Sequence, residues 1–206
     1  MTSPRVSDVP ATWPTLSTVS QFEGRVFSVR TDRVRMPGDE PADRDVVEHP
    51  GAVAVLALDE AERVLLIRQY RHPVHRFLWE LPAGLRDVAG EPPLATARRE
   101  LREEASYRAA DWHTLADFFT TPGMSDERVR IYLARGLSEI PAAERNFTAR
   151  HEEAGMQVTW MPLDAAVRAV LAGQLHNPTA VVGILASYAA RSGRFASLRS
   201  VDAPEG

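Results

Sequence analysis

Glu100, Glu103 and Glu104 are the residues of this chain whose type and spacing point first to chemistry. Residues three and four apart share one face of a helix, so all three carboxylates project together. Carboxylate oxygens are the ligands preferred by a hard divalent cation such as Mg²⁺. A solvated acidic face is the plainer reading of such a run, but local energetics weigh against it. Like charges at these spacings repel by roughly 0.2–0.5 kcal/mol per pair, and acidic groups in the second half of a helix oppose its dipole. Arg98, Arg99 and Arg102 offset part of this repulsion. A bound cation would neutralise the remainder.

These side chains require a helix, and residues 94–106 supply one: no Gly or Pro interrupts them, and Pro92-Pro93 stands at the start. Upstream, residues 52–58 form a continuous apolar run typical of a buried strand, and 64–70 return as its hairpin partner. Further strands are expected at 117–120, 129–133 and 157–161, and a helix at 163–172 with Asp164 near its N-terminal end. Asn177 is placed to cap a last helix over 180–190, with Pro178 at the first helical position. Near the start of the chain, 24–35 alternates as a strand, Pro37-Gly38-Asp39 makes a turn, and 44–48 returns. A two-stranded ribbon is marginal alone and must pack on something. The first twenty residues read as a flexible arm, and the tail after Arg191 as frayed. The expected fold class is α/β (α+β), a mixed sheet between helices with a small N-terminal antiparallel sheet domain. The expected divisions are 1–50, 51–190 and a tail over 191–206.

The segment around the carboxylates resembles the Nudix box, in which Gly, Glu and an Arg-Glu-aliphatic-x-Glu-Glu run recur at fixed spacing. Here Glu91, seven intervening residues, Arg99-Glu100, Leu101, Arg102 and Glu103-Glu104 match in order. Two departures stand beside the match. Gly84 precedes Glu91 by one residue more than the pattern has, and Ser106 occupies a position where the pattern has Gly. Leu81-Pro82-Ala83-Gly84 is similar to the family's approach to the box. The resemblance implies a Nudix fold and Mg²⁺-dependent cleavage of a diphosphate, with Mn²⁺ as possible substitute. By residue, it implies metal ligation by Glu100, Glu104, the Ala83 carbonyl and Glu103, while Arg99 holds the glutamates and Glu91 orients Arg99 or the loop. Gly84 belongs to the substrate-facing approach.

Substrate identity does not follow from the box. Pro122, fifteen residues beyond Tyr107, and the runs Arg68-Gln69-Tyr70-Arg71 and Phe77-Leu78-Trp79-Glu80 are similar to bacterial ADP-ribose pyrophosphatases. That resemblance implies hydrolysis of ADP-ribose to AMP and ribose 5-phosphate. Arg71 would contact a phosphate, since a guanidinium fork matches phosphate oxygens. Glu127, with Ser125 and Asp126, would face the terminal ribose or a metal. In the segment His151-Glu152-Glu153, Glu153 is the first choice and Glu152 the second for a catalytic base. Trp13, Phe22, Phe27 and Tyr70 are open candidates for stacking adenine. The resemblance also implies a homodimer that exchanges the N-terminal sheet. Other Nudix substrates (a different sugar nucleotide, a dinucleoside polyphosphate, an oxidised nucleotide) and a non-catalytic ADP-ribose-sensing domain remain alternatives.

Composition narrows the partners. With 24 basic and 28 acidic side chains the net charge is −4, which gives no global attraction for nucleic acid. Local arginine pairs such as Arg98-Arg99 and the Arg68–Arg71 run suit a small phosphate-bearing ligand better than a duplex. The 206 residues contain no cysteine, which excludes disulfides and thiolate metal sites. No apolar run is long enough to span a membrane, and the polar, proline-rich start lacks a signal pattern. A cytoplasmic protein acting on a nucleotide sugar, without nucleic-acid or membrane partners, is the expectation.

Overall fold

The computed structural model describes residues 6–145 and 156–205. Its contacts divide the chain into two units, one comprising Met1–Pro50, Thr121–Glu127 and Pro204–Gly206, the other Gly51–Thr120 and Arg128–Ala203.

In the first unit, β1 (Thr15–Glu23), β2 (Ser28–Arg35) and β3 (Pro41–Glu48) form an antiparallel sheet in the order β1-β2-β3. Strand β1 corrects the expectation of a flexible arm over the first twenty residues. All nine of its residues are exposed, so the buried alternation that reveals a strand in sequence is missing. Backbone pairing to β2 holds it instead, with help from the Thr18 hydroxyl, which donates to Asp32 at 2.7 Å. The expected turn at Pro37-Gly38-Asp39 is present, with Gly38 and Asp39 both at positive φ. The 121–127 segment joins this unit through Val47 N–H donating to the Met124 carbonyl at 2.8 Å.

The second unit is built on β4 (Ala52–Ala57), β5 (Arg63–Arg71), β6 (Arg76–Glu80), β7 (Ala83–Leu85), α1 (Pro93–Ala105), β8 (Tyr107–Phe119), β9 (Arg128–Glu139), β10 (Gln157–Pro162), α2 (Leu163–Leu171) and α3 (Pro178–Arg191). Two sheets run through it. One is ordered β7-β4-β9-β8, with β4 and β9 parallel and the other pairs antiparallel; the other is antiparallel, β10-β5-β6. Strand β4 is buried on both faces because helices lie on both sides. Val53, Val55 and Ala57 pack with Ala97, Leu101 and Ala105 of α1. Ala54 and Leu56 pack with Leu163 and Ala166 of α2 and Ala180 and Ile184 of α3. The α+β architecture with a mixed sheet between helices is thus the one expected.

The ends of the helices follow their residues. Asn177 Oδ1 accepts the Ala180 N–H at 3.0 Å and Pro178 opens α3, as expected from sequence. Helix α1 opens at Pro93, and its Ala97-Leu101-Ala105 stripe faces the core. Truncating such a leucine costs about 2–5 kcal/mol in well-packed cores, several times the like-charge repulsion of the acidic face. The apolar stripe therefore decides that α1 stays docked with its glutamates in place.

Two expectations fall short here. Strand β8 runs over thirteen residues, not four, since its long antiparallel pairing with β9 carries polar residues such as Asp111 and His113. The segment after Arg191 is not frayed through its middle. Phe195 is buried, Thr114 N–H donates to the Arg199 carbonyl at 3.0 Å, and Arg199 reaches Asp117 at 2.9 Å.

Ser106 caps α1 at φ 59 and ψ 38, the left-handed conformation that L side chains disfavour. Its N–H donates to the Arg102 carbonyl at 3.0 Å as the last helical bond, and the left-handed turn at this residue sends the chain directly into β8. Replacing Ser106→Gly should raise stability by about 1 kcal/mol, read as a higher urea midpoint with an unchanged slope. An unchanged or lower midpoint would mean that the left-handed cap carries no strain.

Candidate active site

Helix α1 and strand β7 build the site. Glu100 and Glu104 lie one turn apart and both meet the two-residue backbone of Ala83 and Gly84. Ala83 N–H donates to Glu104 Oε2 at 2.8 Å. Glu100 lies across Gly84: a Cβ there would meet Glu100 Cγ at 2.7 Å, and its carboxylate closer still. Gly84 is therefore a close-approach glycine, placed where a side chain would displace a carboxylate.

Arg99 ties the cluster together. Its Nη1 donates to Glu100 Oε1 at 2.6 Å and lies 3.6 Å from Glu103 Oε2, while its Nη2 donates to Glu91 Oε2 at 3.1 Å. Thr96, fully buried, donates its hydroxyl to the same Glu91 oxygen at 2.8 Å. Hydrogen bonds from Arg99 and then Thr96 hold the Glu91 carboxyl below the usual carboxylate range, against the effect of burial. The Glu91 hydrogen bonds, with the charges of Glu100, Glu91 and Glu103, push Arg99 further above its ordinary value, although burial acts the other way. The result is a fixed cation among three carboxylates.

Carboxylate oxygens of Glu100 and Glu104 converge on this spot, and oxygen ligands are what a hard divalent ion requires. Among the described residues no three acidic or imidazole groups already converge as a closed metal site. The fit rests instead on Glu100 and Glu104 meeting one backbone segment, with Glu103 held beside them by Arg99.

The other expected residues are placed as follows. Arg71 grips Glu80 with a two-pronged pair, Nε to Oε1 at 2.9 Å and Nη2 to Oε2 at 2.6 Å. Glu80 is 2% exposed, so this pair fixes the Arg71 guanidinium from beneath. Pro122 and Glu127 belong to the first unit, where Glu127 N–H donates to Ser125 Oγ and its carboxylate lies 3.6 Å from His49 Nδ1. Glu152 and Glu153, with His151, lie outside the described residues. Sequence reasoning missed Thr96 and Glu80 as positioning residues. The signal for Glu80 was available, as a lone carboxylate in the run Phe77-Leu78-Trp79-Glu80-Leu81.

The family profile described as NUDIX domain matches residues 48–180, and the chain belongs to the Nudix family. It is 50% identical over 188 residues to the ADP-ribose pyrophosphatase of Mycobacterium tuberculosis, covering 91% of this chain and 88% of that protein. It is 33% identical over 170 residues to the methanol dehydrogenase activator of Bacillus methanolicus, covering 82% and 89% respectively. It is 40% identical over 119 residues to the ADP-ribose pyrophosphatase of Bacillus subtilis, covering 58% and 64%. A solved structure described as an ADP compounds hydrolase superposes with a TM-score of 0.75 at 18% identity, covering 91% of this chain and 98% of that one, which supports the fold. The expected family and enzyme class, a Nudix pyrophosphatase, agree with these relatives.

Two outcomes test this geometry. Gly84→Ala should lower kcat by on the order of a hundredfold by displacing Glu100, since a shift of about 1 Å at a reacting centre has that effect. Its melting temperature should stay close to that of the unaltered chain; normal kcat would show that the Glu100 position is not needed. For Glu91, the depressed folded pKa means that the unfolded chain takes up its proton first as pH falls. The stability that Glu91 provides over Glu91→Gln should be full at neutral pH and vanish as pH falls through the folded pKa, below the ordinary glutamate range. Urea titrations across acidic pH in EDTA measure this. A gap that widens on acidification would reverse the sign.

Proposed function

We propose that this chain hydrolyses the diphosphate linkage of ADP-ribose with Mg²⁺, or Mn²⁺ in its place, releasing AMP and ribose 5-phosphate. The observation that carries the reading is the meeting of Glu100 and Glu104 at the Ala83-Gly84 backbone. It stands beside half-identity to a relative named ADP-ribose pyrophosphatase over nearly the whole chain. Glu100, Glu104, Glu103 and the Ala83 carbonyl are the groups that would hold the ion. When bound, a divalent cation supplies charge neutralisation for the departing phosphate and acidifies water.

The remaining roles belong to the chain's own residues. Arg99 keeps Glu100 and Glu103 from splaying apart under their mutual repulsion. Arg71, braced by Glu80, contacts a phosphate oxygen. Glu153, or failing it Glu152, takes the proton of the attacking water. Pro122 and Glu127 contact the part of the substrate that is not cleaved, and Gly84, on the substrate-facing approach, leaves room for Glu100 to lie against the backbone.

The partner is a nucleotide sugar and, beyond it, a second copy of this chain. Val19 and Phe22 on β1, with Phe27 just before β2, leave apolar surface exposed on the N-terminal unit, which a homodimer would cover. Among the described residues no helix is long and apolar enough to cross a membrane. Nothing in the net charge favours nucleic acid, and a cytoplasmic setting fits the substrate.

The test is hydrolysis over ADP-ribose, ADP-glucose, NADH, diadenosine polyphosphates and 8-oxo-dGTP with Mg²⁺. ADP-ribose should be preferred, give AMP, and go uncleaved in EDTA. Glu104→Gln should retain its fold and lose at least about a hundredfold in rate. Preference for another member of the panel would overturn the substrate, and full activity of Glu104→Gln the ligand assignment. ADP-ribose binding without turnover of any compound would point to a sensing domain.

A further inference from the structure

Strand β6 lies at the edge of the β10-β5-β6 sheet, and a cavity of about 330 Å³ opens beside it, toward the turn between α2 and α3. Arg68, Arg76, Phe77, Trp79, Gln174 and His176 form its wall. Every ionisable group on this wall is basic, on a chain whose net charge is −4. Around α1 the arginines are matched to glutamates, as Arg99 is to Glu91 and Arg102 to Glu103. Here they are not. Arg68 donates to the Gln157 amide oxygen at 3.3 Å and lies over the rings of Phe77, at 4.8 Å, and Trp79, at 5.9 Å. Arg76 has no carboxylate partner among the described residues.

The cavity opens at the free edge of the sheet, with its aromatic wall on the face opposite the carboxylate cluster. Arg68 pairs with Trp79 and Tyr70 with Phe77, so these four side chains share one face, whereas Arg76 pairs with Arg71 on the face of Ile67 and Glu80 and lines the cavity from the rim of the edge strand. Ile67 packs with Leu101 of α1, whereas Leu66 and Trp79 pack with α2 and α3. The aromatic wall of the cavity and the carboxylate cluster are therefore on opposite faces of the sheet, and Arg76 approaches the cavity at its edge.

Two guanidinium groups without carboxylates call for an anion, and guanidinium forks match phosphate oxygens best. An aromatic wall beside them calls for a flat ring. Phe77 is 61% exposed, an unusual state for a phenylalanine at a strand position. The Gln174 amide and the His176 ring add donors and acceptors suited to the edge of a nucleobase.

We propose that this cavity is a second binding site, for a nucleoside monophosphate, with the phosphate held by Arg68 and Arg76 and the base against Phe77 and Trp79. It takes no part in hydrolysis and stands whether or not ADP-ribose is the substrate. If it is, the AMP released at the first site is a ligand for this cavity at the sheet edge.

The full chain carrying Glu104→Gln, kept in EDTA so that metal-dependent binding at the first site does not contribute, is titrated calorimetrically with AMP and separately with inorganic phosphate. Saturable AMP binding is expected, tighter than that of phosphate. Arg76→Glu should weaken it at least about tenfold by turning attraction into repulsion. Residue 76 is exposed on an edge strand, so the charge reversal should leave circular dichroism and melting unchanged. Phe77→Ala should weaken AMP but not phosphate. AMP binding insensitive to Arg76→Glu, or no AMP binding at all, would overturn the site. Phosphate binding as tightly as AMP would overturn the nucleoside.

Discussion

The site depends on one cation. Arg99 sits among Glu91, Glu100 and Glu103, and without it Glu100, Glu103 and Glu104 would crowd one face of α1 in the half of the helix where the dipole opposes them. Its reach to Glu91 also ties the loop before the helix to the helix itself. Thr96, buried beneath, completes the tie by donating to Glu91. The guanidinium is 29% exposed, so its attractions are only partly screened and its loss would leave partly buried charge uncompensated. A resident arginine thus keeps the acidic ligands folded into place, a task that a cation bound only during turnover would not perform.

The scaffold is consistent with that demand. An apolar stripe on α1, four residues apart at each step, locks the helix to β4. The neighbouring stripe of Thr96, Glu100 and Glu104 then faces β7 by helical geometry. Strand β7 is only three residues long, Ala83–Leu85, and it brings backbone instead of bulk to the carboxylates. Gly84 allows Glu100 to lie against the chain. Ser106 ends the helix in a strained conformation one residue after Ala105, and the chain enters β8 at once. Helix, short strand and sharp exit together place the glutamates; none of the three would do so alone.

How far the sequence revealed this follows from the range of each interaction. The carboxylate face, the helix starts at Pro93 and Pro178, and the Asn177 cap were legible because their causes lie within a few residues. Strand β1 was missed because all of its residues are exposed, and most of β8 because backbone pairing to β9, not side-chain pattern, defines it. The tail was misread because Arg199 and Phe195 are held by partners that only folding brings near. The role of Thr96 was hidden for a subtler reason. A threonine inside a helix reads as a weak helix former, and its value lies in the one glutamate its hydroxyl meets.

Arg68-Gln69-Tyr70-Arg71 shows the same limit at closer range. As a string it is a cluster of positive charge suited to one phosphate. As a strand it is two separate devices, because residues three apart point to opposite faces of a sheet. Arg71 falls on the face of α1, where Glu80 braces it. Arg68 falls on the face of α2 and α3, where, among the described residues, rings and an amide meet it. An arginine with a buried carboxylate beneath it is oriented and partly neutralised; one stacked on aromatics keeps its full charge for an anion. The same residue type, three positions apart, is thus given two chemistries by the pleat alone.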